Sequence, residues 1–422
     1  MTLAAASPAF GQEAPAKVDG ADTAWLLASS ALVMLMTPGL AIFYAGMVRR
    51  KNVLSTLMHC IFILGLVTVQ WVVLGYSLAF GPDVGGVVGS LRWAFLSGVG
   101  LEPSGYAETV PHFAFMVFQL MFAIITPALI AGAFAERLRF SSFAVFTLLW
   151  ATLVYDPIAH WVWGAGGWLA ELGALDFAGG TVVHLSSGIS ALAFALVLGR
   201  RIGYPHEPMP PHNLPITVLG ASLLWFGWYG FNAGSALTSG ALSTLAFTTT
   251  HIAAAAAAFA WGVAEWAVHG KPSMLGVASG IVAGLVAITP AAGFVGPIAA
   301  LIIGIAAGLV CYAACRAKRR FGYDDALDVF GIHAVGGALG ALATGLFAST
   351  LWNPGGADGL FFGNPAQFGL QLVAVVATGL YAFVVSWILL KVIDATMGLR
   401  VSAEEEVGGL DLALHGETGY NL

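Results

Sequence analysis

Long apolar runs recur along the whole chain, and most are close to the roughly 20 residues that a helix needs to cross a bilayer. They lack the alternation with a period of two that marks the strands of a membrane barrel. Hydrophobic residues make up 59% of the chain and charged residues only 9%. Average soluble domains have roughly 45–50% hydrophobic residues and about 25% charged residues. We count eleven runs, at 24–47, 56–80, 113–135, 141–161, 179–198, 214–235, 244–267, 273–290, 296–315, 329–350 and 367–392. The sequence predicts an all-α integral membrane protein with eleven transmembrane helices.

The basic residues predict the orientation of these helices, because lysine and arginine are enriched in cytoplasmic loops. With the N-terminus outside, only Lys17 and Arg92 of the 16 basic residues fall on the outer side. The C-terminus is then expected in the cytoplasm, and the chain in the cell (inner) membrane as a multi-pass protein. The net charge of -6 is modest, and no basic patch indicates a nucleic-acid partner.

The three cysteines, Cys60, Cys311 and Cys315, lie in apolar settings. They are too few for a disulfide framework or a zinc site, so we interpret them as small packing residues. Neither a metal nor another cofactor is predicted.

The chain divides into three expected parts. Residues 1–22 are rich in small residues, which is typical of an exported segment or the remnant of a secretory signal, with a cleavage site at Ala9 to Gly11. Residues 23–395 form the transmembrane domain. Residues 396–422 form a cytoplasmic tail, which is either solvated or an ordered docking surface. Five carboxylates make this tail acidic: Glu404, Glu405, Glu406, Asp411 and Glu417.

Two short similarities indicate an internal duplication. The FYAG sequence at Phe43 to Gly46 in the first run resembles FNAG at Phe231 to Gly234 in the sixth. His184 in the fifth run corresponds to His333 in the tenth. Repeats of five helices must be inverted relative to each other, so the eleventh helix is an addition. Inverted repeats usually place the substrate path near the midplane, between the two halves.

His184 and His333 are the strongest candidates for function. A titratable ring at membrane depth is unfavourable unless it is used or satisfied, and two at matched positions favour use over packing. Asp176 stands just before Gly179 and Gly180 at the start of the fifth run. Its carboxylate can cap the free amides of that helix or ligate a cation, and we favour the cap.

Aromatic residues are dense in the third and sixth runs. Each ring alone is more often a packing residue than a ligand. Together, however, ring faces and one hydroxyl can hold a small cation, above phenylalanines that block hydrated ions. The candidates are Phe118, Phe122, Trp163, Trp228, Phe231 and Ser235.

Most of the chain resembles the ammonium transporter family (Amt/Mep/Rh), and in particular its bacterial Amt branch. The resemblance rests on DFAGGTVVH (Asp176 to His184), MPPHNLP (Met209 to Pro215), WFGWYGFNAGSA (Trp225 to Ala236), GAFAERLRF (Gly132 to Phe140), AHWVWG (Ala159 to Gly164), DVFGIHAVGG (Asp328 to Gly337) and RVSAEEEVGGLDLALHGETGY (Arg400 to Tyr420).

The resemblance implies a role for each candidate. Phe118, Trp163 and Ser235 correspond to the outer ammonium site, with Trp228 beside it and Asp176 as the carboxylate near the mouth. Phe122 and Phe231 correspond to the phenylalanine gate. His184 and His333 correspond to the twin-histidine pair.

The resemblance also implies how the protein assembles and what it binds. It implies an eleven-helix pore in each subunit of a homotrimer. The tail would then be a docking site for a trimeric PII-type signalling protein. Ammonium or ammonia is the expected substrate, with methylammonium as a related one.

Three functions follow from these features. The first is a transporter, not an enzyme, that captures ammonium outside, deprotonates it and passes ammonia through an apolar pore. The second is an ammonium sensor on the same fold, which signals through its tail. The third is a protein with histidine-ligated haem, although no two of the ten histidines have the spacing of about 13 or 14 residues common in such bundles.

Overall fold

The computed structural model describes residues 17–420, and most of them are helical. The predicted cleavage site at 9–11 lies outside the described residues, as does most of the predicted segment 1–22.

Eleven apolar helices form the body of the structure, in agreement with the predicted architecture. Ten are long and apolar enough to cross a membrane, and α8 is a shorter apolar helix of 15 residues. The helices are α1 Gly20–Met47, α2 Val53–Gln70 continued by Trp71–Gly75 and Tyr76–Phe80, α3 His112–Phe134, α4 Phe140–Trp150 continued by Ala151–Tyr155 and Asp156–Trp163, α5 Gly180–Leu185 continued by Ser186–Leu198, α6 Leu214–Trp228 continued by Tyr229–Ala233, α7 Ala241–His269, α8 Met274–Ile288, α9 Pro297–Phe321, α10 Phe330–Ala334 continued by Val335–Phe347, and α11 Pro365–Met397.

Two helix ends differ from the predicted boundaries for identifiable reasons. Helix α1 begins at Gly20, because the Asp19 carboxylate accepts hydrogen bonds from the amides of Ala21 and Asp22 at 2.8 and 2.9 Å. Helix α11 continues to Met397 and ends at Gly398, whose φ of 74° lies in the left-handed region.

The helices of the two predicted repeats lie side by side. Helix α1 packs along α6, and the start of α5 packs against α10. Glycine permits the close approach of α1 and α6, because a Cβ on Gly220 would lie 2.4 Å from the backbone nitrogen of Phe43. The bundle is therefore held by backbone-to-backbone packing of small residues.

Five helices contain a π-helical turn, an irregularity that is frequent at functional sites. The turns in α5, α6 and α10 contain His184, Phe231 and His333, respectively. The turns in α2 and α4 are Trp71–Gly75 and Ala151–Tyr155. The helical register thus changes at the places where the sequence carries its candidate residues.

Two small antiparallel hairpins cover one end of the bundle, here called the hairpin end. They are β1 Asp83–Val84 with β2 Val88–Gly89, and β3 Pro103–Ser104 with β4 Ala107–Pro111. The opposite end, here called the tail end, carries two short helices that follow α11. These are α12 Ala403–Gly408 and α13 Leu410–His415.

The tail helices pack on the chain instead of extending into solvent. The amide of Leu410 donates to Oδ1 of Asn52 at 2.8 Å, and Asp411 accepts from the amide of Ser55 at 2.8 Å. Glu406 is buried and accepts from the amide of Ile202 at 2.7 Å. The described part of the tail therefore lies against the loops of the tail end.

A buried charge cluster lies under the tail. The Glu136 carboxylate pairs with Arg49 at 2.7 Å and with Arg201 at 3.3 Å. Arg201 also pairs with Asp324 at 2.9 Å. Both carboxylates are buried, so the cluster links four loops of the tail end through desolvated ion pairs.

Candidate functional site

A cavity of about 280 Å³ lies at the hairpin end. Aromatic side chains form most of its wall, together with one amide and one aliphatic hydroxyl. The lining residues are Phe80, Tyr106, Phe115, Gln119, Phe122, Val162, Trp163, Phe177, Ser235 and Leu237. Trp163 and Ser235 are among the residues expected at the outer ammonium site, and Phe122 is expected in the phenylalanine gate. Here they share one cavity.

Ser235 and Trp163 are each oriented by one hydrogen bond to the backbone. The Ser235 hydroxyl donates to the carbonyl of Phe231 at 2.8 Å. The hydroxyl oxygen is then free to accept a hydrogen bond from a donor in the cavity. The indole N–H of Trp163 donates to the carbonyl of Asp176 at 2.9 Å. The hydroxyl oxygen and the indole face are thus available to a small cation.

Phe118 and Trp228 do not line this cavity. Phe118 is fully buried and packs edge-on against Phe122, with ring centroids 5.0 Å apart. Trp228 lies seven residues before Ser235 on α6, which places it about 10 Å deeper at 1.5 Å per residue. It stacks on His184, with ring centroids 5.3 Å apart.

The rings of Phe122 and Phe231 separate the cavity from the interior. Their centroids are 4.3 Å apart with an interplanar angle of 37°, and both side chains are buried. Phe122 lines the cavity on one side, and Phe231 lines the space beyond. In this conformation the two rings close the path to any hydrated ion.

His184 and His333 meet below these rings. Their Nδ1 atoms are 3.3 Å apart, and the rings are nearly parallel, with centroids 5.4 Å apart. They are 1% and 3% exposed, so solvent does not satisfy them. Because Nδ1 faces Nδ1, one ring donates a proton and the other accepts it. Nε2 of His184 has no partner in the described chain.

A glycine permits this contact. A Cβ on Gly188 of α5 would lie 2.1 Å from the backbone nitrogen of Ala334, which follows His333 on α10. No side chain fits there. The glycine at this position therefore permits the close crossing of α5 and α10. The crossing brings together two rings from distant parts of the sequence.

The space around the histidines is narrow and apolar. Its volume is about 10 Å³, close to that of a single water probe. Apart from the two histidines, the lining residues are Met36, Leu40, Ile125, Leu129, Val183, Leu224, Trp228, Phe231 and Val282. We call this space the lumen. Its wall offers an ion no ligand except the imidazole nitrogens.

Asp176 has the contacts of a helix cap. Oδ1 accepts from the amides of Gly179 and Gly180 at 2.8 and 2.7 Å, and Oδ2 accepts from the amide of Thr181 at 2.7 Å. The Thr181 hydroxyl donates to the same oxygen at 2.5 Å. The carboxylate is buried and does not line the cavity, so its contacts are those of a helix cap and not those of a cation ligand facing the cavity.

Several lining residues were not among the sequence candidates. Gln119 and Phe115 of α3, and Tyr106 of the second hairpin, complete the cavity wall. Gln119 was recognisable as the lone amide in a helix of phenylalanines, four residues after Phe115 and three before Phe122. Tyr106 had no such signal, because its position depends on the hairpin.

The apolar helices, with a narrow apolar lumen inside the bundle and a cavity at one end, define a multi-pass membrane protein. A sequence model of the Ammonium Transporter Family matches residues 24–420, and the chain belongs to that family.

Relatives and solved structures agree with this assignment. The chain is 53% identical to an ammonium transporter of Bacillus subtilis over 400 residues, covering 94% of this chain and 98% of the relative. It is similar to the crystal structure of Saccharomyces cerevisiae Mep2, with a TM-score of 0.86, 38% identity and coverage of 92% and 89%. It is also similar to a structure described as a sensor Amt protein, with a TM-score of 0.87, 29% identity and coverage of 93% and 98%.

Proposed function

We propose that this protein takes up ammonium, removes its proton near the aromatic gate and conducts ammonia through the lumen. The lumen is the observation that carries the proposal. Moving an unpaired small cation into a medium of low dielectric costs tens of kcal/mol in the Born limit. A lumen lined by apolar groups and two imidazoles cannot offset that, so the transported species must be neutral.

The outer cavity would bind ammonium before this step. A cation–π contact contributes about 0.5–2 kcal/mol, and Trp163 and Phe122 present ring faces beside the Ser235 hydroxyl. This is enough to concentrate the cation, but too little to carry it through the gate. Potassium is close to ammonium in size, but has no proton to release. It would therefore be stopped where ammonium is not.

The histidine pair would act on the neutral molecule and on its proton. Hydrogen bonds to imidazole nitrogens offset part of the hydration that ammonia loses on entering the lumen. The unpartnered Nε2 of His184 provides such a nitrogen. A hydrogen bond between the two rings also forms a short relay through which the released proton can cross. Transport would then move net charge.

Flux in proteoliposomes, measured with and without an imposed membrane potential, tests this proposal. We expect saturable ammonium flux that follows the potential and excludes potassium. Flux that ignores the potential would remove the proton relay and leave ammonia conduction. Potassium conduction would overturn the proposed mechanism.

We also propose how the protein is oriented in the membrane, how it assembles and what it binds. We place the hairpin end outside and the tail in the cytoplasm of the cell (inner) membrane, as the basic residues predict. A homotrimer would suit the apolar side chains exposed on α7 and α9, such as Phe259, Ile298 and Ile302. A PII-type protein would dock over the ordered tail end. Methylammonium would be a second substrate, and nitrogen uptake the physiological role.

An ammonium sensor is the second candidate. Two observations favour it: the similarity to a structure described as a sensor Amt protein, and the docking of α12 and α13 on the chain. A sensor would bind ammonium in the outer cavity and change the exposure of its tail without sustained flux. The same proteoliposome experiment separates the two functions.

A further inference from the structure

A carboxylic side chain lies buried in the bundle away from the pore. Asp156 of α4 is fully buried and lines neither the cavity nor the lumen. No ion pair between described residues involves it. An ionisable residue at membrane depth normally has a partner or a function, and Asp156 has no part in the proposed transport path.

The partner of Asp156 is an amide on the neighbouring helix. Nε2 of Gln70 on α2 donates to Oδ2 of Asp156 at 2.7 Å. The same nitrogen donates to the Thr152 hydroxyl at 3.2 Å. The Gln70 side chain folds over Gly75, where a Cβ would lie 2.5 Å from its Oε1. The amide is therefore fixed in place beside the carboxyl group.

Two oxygen atoms in this contact have no donor. Oδ1 of Asp156 and Oε1 of Gln70 are buried and without a partner in the described chain. While the carboxyl group is ionised, both atoms are hydrogen-bond acceptors, so neither can satisfy the other. A buried acceptor without a donor costs about 1–3 kcal/mol, and more if it is charged. The 2.7 Å contact between Nε2 and Oδ2 sets the two planar groups side by side, so a hydrogen on Oδ1 that reaches Oε1 would remove both penalties.

The surroundings favour a neutral carboxyl group. The elements packed against this contact carry the following ionisable groups: Tyr155 and His160 of α4, His59, Cys60 and Tyr76 of α2, His112 of α3, His184 of α5, Tyr381, Lys391 and Asp394 of α11, Asp83 of the first hairpin and Glu171 of the short helix Trp168–Glu171. His160 is already paired with Asp83 at 2.9 Å and with the carbonyl of Ala79 at 3.0 Å. None of these groups supplies a cation to Asp156, so an ionised carboxylate would be uncompensated there.

We propose that Asp156 is a proton-binding site, and that its protonated carboxyl forms a cyclic acid–amide pair with Gln70. Oδ1–H donates to Oε1 of Gln70, while Nε2 of Gln70 donates to Oδ2. The bound proton thereby joins α2 to α4 beside the π-helical turns of both helices. This inference is independent of the proposed transport function.

A metal cation between the two oxygens is the competing occupant. Hard cations take about six or more oxygen ligands, and this contact offers two free oxygens and the Thr152 hydroxyl, which already donates to the carbonyl of Leu148. A single proton needs only the two atoms present. The proton is therefore the better match to this geometry.

Infrared spectroscopy of the purified protein tests the proposal directly. At neutral pH we expect a band in the carboxylic-acid carbonyl region that is absent from Asp156→Asn and present in the control Glu102→Gln, which replaces an exposed carboxylate. Gln70→Leu should keep the band but shift it, because its hydrogen-bond acceptor is gone. A wild-type spectrum identical to that of Asp156→Asn would overturn the proposal.

Thermal unfolding provides the second readout. Asparagine reproduces the protonated acid, since its N–H replaces the O–H, so Asp156→Asn should unfold at the wild-type temperature. Asp156→Ala should unfold at a lower temperature because Gln70 loses its partner. Replacing sodium with choline should not change the unfolding temperature of the wild type or of Asp156→Asn. A clear loss of stability in Asp156→Asn, or in wild type without sodium, would show an ionised carboxylate or a bound cation.

Discussion

Nδ1 of His184 lies 3.3 Å from Nδ1 of His333, although 149 residues separate the two in the sequence. Two nitrogens at this distance cannot both carry a proton, so the buried pair shares one hydrogen between its facing atoms. One added proton would place a charge in an apolar lumen, and protonation of both rings would place two like charges side by side there. The pair can thus pass a proton on, but it is a poor place to store one.

Removing either ring should stop proton-linked transport. We expect His184→Ala and His333→Ala each to abolish ammonium-dependent current in proteoliposomes, because each variant breaks the hydrogen bond between the rings. His206→Ala, at an exposed position of a loop, is the matched control and should keep the wild-type current. Full and potassium-excluding current in both lumen variants would remove the relay from the mechanism.

Trp163→Leu should weaken ammonium binding more than it slows saturated flux. The indole face belongs to the outer cavity and not to the lumen. Losing a cation–π contact of about 0.5–2 kcal/mol corresponds to a loss of about 2- to 30-fold in apparent affinity. The dependence of flux on ammonium concentration measures this. Trp266→Leu, on an exposed surface of α7, should leave that dependence unchanged; an equal effect of both substitutions would count against the cavity.

The helices were predictable because one physical rule dominates them. In a bilayer each backbone group must be satisfied within its own helix, so long apolar runs have few alternatives. The ends were less predictable: the early start of α1 depends on the Asp19 cap, and α8 is shorter than its run. The π-helical turns were not predictable, because their register depends on packing against other helices.

The site was predictable where the signal was chemical. Two histidines at membrane depth and at matched positions predicted a shared site, and the structure brings them together. The resemblance implied Trp228 beside the outer ammonium site, and in the structure the helical rise separates Trp228 from Ser235. Its stacking on His184 depends on where the bundle places α5 and α6, which the sequence does not encode locally.

The ion pairs under the tail should make the protein sensitive to acid. Burial opposes ionisation of Glu136, but the hydrogen bonds and charges of Arg49 and Arg201 outweigh it and lower the pKa of this carboxyl below its usual 4.5. The stabilisation is therefore fully present above about pH 4.5 and is lost as the pH falls through the lower pKa of the folded state.

Glu136→Gln tests this sign. At neutral pH it leaves Arg49 without a charged partner and Arg201 with Asp324 alone, and we expect a loss of about 3–5 kcal/mol in the free energy of unfolding. The gap to wild type should close in acid, as measured by thermal unfolding at a series of pH values. A gap that grows in acid would mean that the pKa of Glu136 is raised in the folded protein.

Glu406→Ala should loosen the docked tail. The Glu406 carboxylate accepts from the amide of Ile202 at 2.7 Å and pairs with Arg400 at 2.8 Å. Its loss leaves the amide of Ile202 and Nε of Arg400 without an acceptor, at about 1–3 kcal/mol. Hydrogen exchange in α12 and α13 should become faster, whereas the exposed neighbour Glu404→Ala should leave it unchanged. Equal protection in wild type and Glu406→Ala would show that other contacts hold the tail.

Gly188→Ala should separate the two histidines without altering either. The added Cβ would lie 2.1 Å from the backbone nitrogen of Ala334, so α5 and α10 must move apart. We expect loss of flux together with about 1–3 kcal/mol of destabilisation, as for other overpacked cores. Gly369→Ala is the matched control, because a Cβ there meets nothing within 4 Å. Normal flux and stability in Gly188→Ala would mean that transport tolerates a wider crossing, and that the short distance between the rings is not what sets their role.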